Sequence, residues 1–263
     1  METVSTLLLT QIDDGVAVVT LNNPPLNLVT LNLSRLLYET VQALAANPAV
    51  RVMVLTGSGN KAFCVGSDLN EFPEMMAAGA VVPKKLKMEN DAFSAIREFT
   101  KPTIAALNGL AYGGGLEMAL CCDMLVAEQG GRIALPEIKL GVFPGSGGTV
   151  RMTRRIGESR AKKMMFTGEP VTVEEAHQWG LINDIVPKGH ALEHAKALAR
   201  TIAEQPNIAL QLCKASANMS FDMDEKSAVY ASLPLSEKAF TSQDCKEGVR
   251  AFFAKEKPRF SHS

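Results

Sequence analysis

The sequence predicts an α/β core followed by a helical region, and three observations carry that expectation. Short β-branched and apolar runs alternate with stretches of helical periodicity along the first part of the chain. From residue 146 onward the pattern turns mainly helical, interrupted by one strand candidate at residues 182–186. No Pro/Gly/Ser-rich linker divides the chain, so one core is expected over residues 1–200 and a C-terminal helical region over 201–263.

The elements follow in order. Residues 7–12 and 16–21 flank Asp13-Asp14-Gly15 and read as two strands around a tight turn. Residues 32–44 carry apolar side chains at helical spacing, and Asn47-Pro48 ends them. Residues 50–56 form an apolar strand, 62–65 a shorter one, and Ser67-Asp68 caps a helix running towards Ala78. Residues 84–100 read as helix, 102–107 as a buried strand and 116–122 as a helix opened by Gly113-Gly114-Gly115. Strands follow at 124–127 and 132–135, and the tail reads as helix over 220–240 and 244–255.

Composition narrows the class. The 263 residues are 46% hydrophobic and 21% charged, which is ordinary globular material. A formal net charge of -1 supplies no bulk attraction to nucleic acid or to an anionic membrane. The exception is the cluster Arg151, Arg154, Arg155, Arg160, Lys162 and Lys163, whose plainer reading is a solvated helix face or subunit edge. Five cysteines, an odd number without CxxC or zinc-finger spacing, read as reduced thiols. No leader precedes the first strand and no apolar run has spanning length, so a soluble cytoplasmic protein is expected. Ser261-His262-Ser263 does not match a peroxisomal Ser-Lys-Leu ending.

Two glutamates carry the chemistry. Glu117 follows the triple glycine in the first turn of a helix, and Glu137 follows Pro136 after a strand-like run. Taken singly, the first is a helix-capping carboxylate and the second a solvated loop residue. The Pro144-Gly145-Ser146-Gly147-Gly148 loop, bent back over Glu137, would add a second set of free amides facing the same space. Two carboxylates in different environments beside glycine-freed amides suit acid–base work on a substrate that develops negative charge.

Other motifs are weaker. Gly57-Ser58-Gly59-Asn60-Lys61-Ala62 fits a dinucleotide fingerprint, but the following Phe63-Cys64-Val65 favours extended structure where that fingerprint needs a helix. His190 and His194 are four apart without a third ligand in sequence, so no metal site is expected. Trp179 reads as a core or interface anchor.

At this point the motifs carry a resemblance. Residues 62–69 (AFCVGSDL), 102–109 (PTIAALNG), 113–123, and 135–141 (LPEIKLG) with the following PGSGGT resemble the enoyl-CoA hydratase/isomerase (crotonase) superfamily, most closely its hydratases. The likeness runs collinearly over nearly the whole chain, and residues 166–168, 176–182 and 247–252 extend it. It implies a crotonase-like spiral of repeated ββα units with a C-terminal helical region that trimerises, giving a homotrimer or a dimer of trimers. It also implies an acyl-CoA thioester substrate, with coenzyme A as part of that substrate and no separate cofactor.

Residue by residue, the resemblance puts the oxyanion-hole amides at Ser67 and Gly114 and the acid–base pair at Glu117 and Glu137. Leu26, Ala62, Val65, Ser67, Asp68, Leu69, Gly114, Pro136 and Gly145 are then the residues around the thioester, with Gly145 leaving room near Glu137. Asn70 stands where the family often has lysine, and the Pro24-Pro25-Leu26-Asn27 loop lacks the usual basic residue. The coenzyme A phosphates are therefore expected at Lys61, or at Lys255 and Lys257 of a neighbouring tail. Met75, Met76, Ala77, Ala78, Val81 and Val82 belong to the segment that lines the acyl pocket in the family, which suggests an aliphatic or aromatic acyl group.

The implied reaction is addition of water across the 2,3 double bond of a trans-2-enoyl thioester, Glu117 activating water and Glu137 delivering a proton to C2. Isomerisation or another enolate chemistry is the alternative within the family. A binding or scaffold protein on the same fold is the alternative outside enzymes, and it would use the arginine-rich patch.

Overall fold

The computed structural model describes residues 7–262. Its plan is a repeated step in which each unit gives one strand to a large sheet, one to a small sheet, and then a helix. The large sheet has six strands in the order β1-β2-β3-β5-β7-β10, formed by Leu8–Asp13, Val16–Leu21, Val52–Gly57, Thr103–Leu107, Met124–Glu128 and Asp184–Val186. The small sheet has the order β4-β6-β8-β9, formed by Ala62–Cys64, Leu110–Tyr112, Arg132–Ala134 and Val171–Thr172. Only β1 and β9 run antiparallel to their neighbours. The successive units β3-β4, β5-β6 and β7-β8, each followed by helix, are the ββα spiral of a crotonase fold.

The pleat explains the apolar runs. In β2, Ala17, Val19 and Leu21 enter the main core, whereas Val16 and Val18 face the other side. The same alternation splits Met53 and Leu55 from Val52 and Val54, and Ala105 and Leu107 from Ile104 and Ala106. A mostly parallel sheet buried on both faces needs such near-continuous hydrophobic strands. The second face is covered by α7 (Ala191–Ala203), whose Ala191, Ala195, Ala199 and Ala203 form a stripe every four residues that lets the helix lie close. The expected boundary at residue 200 thus falls inside a helix that packs on the sheet, and the helical tail starts with α8 (Asn207–Met219).

Helices α1 (Leu31–Ala46) and α2 (Lys87–Glu98) pack on the opposite side, against the main core. Thr30 caps α1 by accepting from the Leu33 amide at 3.1 Å. The helix expected after Ser67-Asp68 is a 3-10 segment, Leu69–Met75, capped by Asp68 alone. Pro73 inside it lacks the amide an α-helix would use there, which accounts for the difference. Strands β6 and β9 were not expected from the sequence. Three and two residues are too few to show a period.

The remaining helices are α3 (Gly114–Ala119), α4 (Gly148–Ile156), α5 (Glu158–Thr167), α6 (Val173–Gln178), α9 (Glu225–Phe240) and α10 (Gln243–Ala254). Neither α8 nor α9 buries a single residue within the chain, and Phe252 and Phe253 of α10 are 78% and 79% exposed. No helix among the described residues is long and apolar enough to cross a membrane. Cys64, Cys121 and Cys122 are buried free thiols, Cys245 is half-buried and Cys213 exposed.

Candidate active site

Three adjacent parallel strands deliver the site. Beyond β4 come Gly66 and Ser67, beyond β6 come Gly113 and Gly114, and beyond β8 come Pro136 and Glu137. Because these strands are neighbours running the same way, their C-terminal ends converge. Gly113 ties two of them together by donating its amide to the Ala134 carbonyl at 2.9 Å.

Ser67 is anchored from the other side. Val29 donates to the Gly66 carbonyl and accepts from the Asp68 amide, each at 2.9 Å, which leaves the Ser67 N–H outside that bridge. Among the described residues neither the Ser67 nor the Gly114 N–H enters a turn or loop hydrogen bond. The segments are close: a methyl placed on Gly114 would sit 3.9 Å from Ser67 N and 3.7 Å from Ser67 Oγ. Gly113 takes φ 51°, a conformation that disfavours any side chain, and a methyl there would meet Glu137 Oε1 at 3.2 Å.

Glu117, in the first turn of α3, is 3% exposed. Its Oε1 accepts two amides, from Ser146 at 2.8 Å and Gly148 at 2.7 Å. The glycine loop expected to bend over Glu137 therefore holds Glu117 instead. α4 begins beside α3, and its unpaired first amides find the nearest buried carboxylate. Burial pushes the Glu117 carboxyl up to about 7, the two amides oppose this, and Glu137 and Glu89 reinforce it by charge.

Glu137 opens a 3-10 turn, Glu137–Leu140. Both of its carboxylate oxygens are buried, and neither is hydrogen-bonded to another described residue. Burial pushes this group up to about 7 as well. Two carboxyl groups able to exchange protons near neutrality thus lie beside the Gly113-Gly114 turn, and the charge of Glu137 adds to the rise at Glu117.

The other expected residues fall around this centre. Leu26 accepts the Val65 amide at 3.1 Å, and its loop is held by Asn27, whose Nδ2 donates to the Ser58 and Ala62 carbonyls at 2.9 Å each. Ala62 is buried in β4, Pro136 precedes Glu137 half-buried, and Leu69 is 51% exposed. Gly145 lies against the segment before α2. A methyl there would meet Leu86 Cδ2 at 3.2 Å, so its smallness admits the segment before α2. Space for the Glu117 carboxylate is cleared at Gly148, where a methyl would approach Glu117 Oε1 and Cγ at 2.9 Å. Gly148→Ala is expected to lower turnover by about 10- to 100-fold through displacement of that carboxylate, with far-ultraviolet circular dichroism unchanged.

Most of the segment expected to line the acyl pocket is exposed. Met76, Val81 and Val82 are 78%, 38% and 59% exposed, and only Met75 of that group is buried. Lys85 and Glu89 are buried instead, at 3% and 2%, and pair with each other. One signal for this was present: Glu89 shares the stripe of Ala92, Phe93 and Ile96, the buried face of α2.

Of the expected phosphate-binding lysines, Lys61 is exposed at the start of β4 and Lys257 pairs with Glu204 at 3.1 Å. Most of the arginine-rich cluster makes contacts within the chain. Arg151 donates to the Ser146 carbonyl at 2.8 Å, Arg154 pairs with Asp222 at 3.2 Å, and Arg155 reaches the Leu120 and Cys122 carbonyls. Arg160 lies over Trp179, and Lys162 pairs with Glu158. His190 and His194 face Glu193 and Asp184 separately.

The two sheets and the ββα spiral define a protein of the crotonase fold. The family model for enoyl-CoA hydratase/isomerase matches residues 11–263, and the chain belongs to that family. It is 37% identical to the 2,3-dehydroadipyl-CoA hydratase of Escherichia coli over 250 residues, covering 93% of this chain and 94% of that one. It is 34% identical to the crotonyl-CoA hydratase of Syntrophomonas wolfei, covering 94% and 95%. Among solved structures, the enoyl-CoA hydratase of Bacillus anthracis superposes with a TM-score of 0.93 at 30% identity, covering 98% of this chain and 100% of that one.

Proposed function

We propose that the protein hydrates a trans-2-enoyl-CoA thioester. The observation that carries this reading is the pair of buried carboxyl groups, both pushed up to about 7, at the ends of neighbouring strands beside two free amides. The Ser67 and Gly114 amides receive the thioester oxygen, which gains charge as an enolate forms, so their help is greatest in the transition state. Glu117, ionised and fixed by two amides, takes a proton from water as the water oxygen bonds to C3. Glu137, protonated, gives its proton to C2. The exchange leaves the two carboxyl groups with reversed protonation, and a proton passed back through solvent resets them.

Each group suits its part. Glu117 has two donors from the loop that support its anion, whereas Glu137 has none from another described residue, which favours its neutral form. The chemistry described needs only protons, water and amides, with coenzyme A entering as part of the substrate. Isomerisation needs one carboxyl shuttling a proton between C2 and C4, and would leave the second buried glutamate without a task. The relatives named as hydratases support the same choice.

The unburied faces of α8 and α9 and the exposed Phe252 and Phe253 support assembly through the C-terminal region, as a homotrimer or a dimer of trimers. The three buried free thiols fit a cytoplasmic setting. Turnover across trans-2-enoyl, 3-enoyl and dicarboxylic mono-thioesters of coenzyme A tests the reading. Hydration of the trans-2-enoyl compounds is expected, and conversion of 3-enoyl to 2-enoyl without hydration would replace it with isomerisation.

A further inference from the structure

The hydratase reading uses two carboxylates, yet a third lies buried among them. Glu89 Oε2 accepts the Ser146 hydroxyl at 2.8 Å, and Glu89 Oε1 accepts the Ser67 hydroxyl at 3.3 Å as well as Lys85. Ser67 bears one of the free amides, while Ser146 donates its own amide to Glu117. One carboxylate therefore bridges the two halves of the reaction centre. On the same face, Asn90 donates to the Gly145 carbonyl at 3.1 Å, and Arg151 grips the Ser146 carbonyl at 2.8 Å.

This arrangement is costly unless it has a use. Two charges out of water are weakly stabilising at best, and an apolar pair would fill the same space on the buried stripe of α2. The cost is met here only because every oxygen of Glu89 has a donor and Lys85 has its counter-charge.

We propose that the Lys85–Glu89 pair is a positioning element of the reaction: it braces Ser67 against Ser146, and so holds the oxyanion amides and the Glu117 carboxylate in one fixed geometry. This inference rests on the hydratase reading above. It also has an electrostatic consequence, because the charged groups facing Glu117 come from several elements. They are Glu137 after β8 and Glu89 in the first turn of α2, with Lys85 paired to Glu89 just before that helix and Arg151 of α4 on the Ser146 carbonyl; the neighbouring Cys121 thiol, just beyond α3, is held neutral by burial. Removing one member of the pair leaves the other's charge exposed to Glu117, and the two single removals act with opposite sign.

The test follows the pH dependence of kcat/KM on crotonyl-CoA, whose acid limb reports ionisation of the base. Glu89→Gln leaves Lys85 uncompensated and is expected to move that limb to lower pH. Lys85→Met leaves Glu89 uncompensated and should move it to higher pH. The double variant K85M/E89Q should return the limb towards wild type while kcat stays reduced by about 10- to 100-fold, since the brace is gone. Ser146→Ala keeps both charges and cuts one strut, so it should lower kcat by about 10-fold or more with little change in KM.

Should a single variant fail to fold, the double variant and Ser146→Ala carry the test, neither leaving a buried charge alone. Limbs that stay put or move together in the single variants, or full kcat in both K85M/E89Q and Ser146→Ala, would overturn the positioning role and leave the hydratase reading standing. A wild type inert on every enoyl thioester would overturn both.

Discussion

Glu117→Gln is expected to lower kcat for enoyl-thioester hydration by about a hundred- to ten-thousand-fold, the range for loss of a positioned general base. The amide substitution is well matched to the site. Gln Oε1 still accepts from Ser146 and Gly148, so the loop before α4 stays in place and thioester binding should survive. What is lost is only the ability to take a proton from water. Glu137→Gln should fall in the same range while keeping the Glu117 contacts intact, which separates proton donation from water activation.

The same variant carries a stability signature of opposite sign. In the folded protein Glu117 is pushed up from 4.5 to about 7, so between those values the folded state holds a proton that the unfolded state has released. Its contribution to stability is therefore present below pH 4.5 and lost as pH rises through about 7. Gln does not titrate, so E117Q should be more stable than wild type at pH well above that value, by on the order of 3 kcal/mol. Urea unfolding at acidic and alkaline pH reads this directly. A variant less stable than wild type at alkaline pH would show that the carboxylate is not burdened by burial.

Gly114→Pro is expected to lower kcat by about a hundred- to a thousand-fold, the usual loss for one oxyanion donor. The position is the first residue of α3, where proline is accommodated without loss of a helical hydrogen bond. A Cβ there meets its nearest neighbour, Ser67 Oγ, at 3.7 Å, an ordinary contact. The substitution thus removes the N–H and sets the ring Cδ where that N–H pointed, so a missing donor and a filled oxyanion site act together. Full activity in a folded Gly114→Pro enzyme would mean that the thioester oxygen is held elsewhere.

Strand residues that pack in both layers were legible because β2, β3, β5 and β7 each hold a run of four consecutive apolar side chains. Half of the small sheet was hidden for the converse reason: β4 and β8 were expected, whereas β6 has three residues and β9 two, so no alternation can establish itself there. Yet those short strands place the site, which is why the glutamates and glycines were found by their chemical types rather than by their elements.

The partners of those residues were less visible. Glycine-rich loop and carboxylate were both expected, but which carboxylate the loop would hold depends on α4 starting beside α3, a long-range contact that no local pattern encodes. Lys85 and Glu89 were passed over because charged residues are ordinarily solvated. Their burial follows from the position of Glu89 on the same face as Ala92, Phe93 and Ile96, a conflict between residue type and helical phase that a functional site tolerates.

The central claim is that this chain adds water to a conjugated thioester using both glutamates. Incubating wild type with crotonyl-CoA in water enriched in heavy oxygen tests it most directly, with product followed by mass spectrometry and substrate by loss of the enoyl absorbance. The prediction is a 3-hydroxyacyl thioester carrying the label at C3, formed by wild type and suppressed in both Glu117→Gln and Glu137→Gln. Unlabelled product, or labelled product formed at the wild-type rate by both variants, would contradict it.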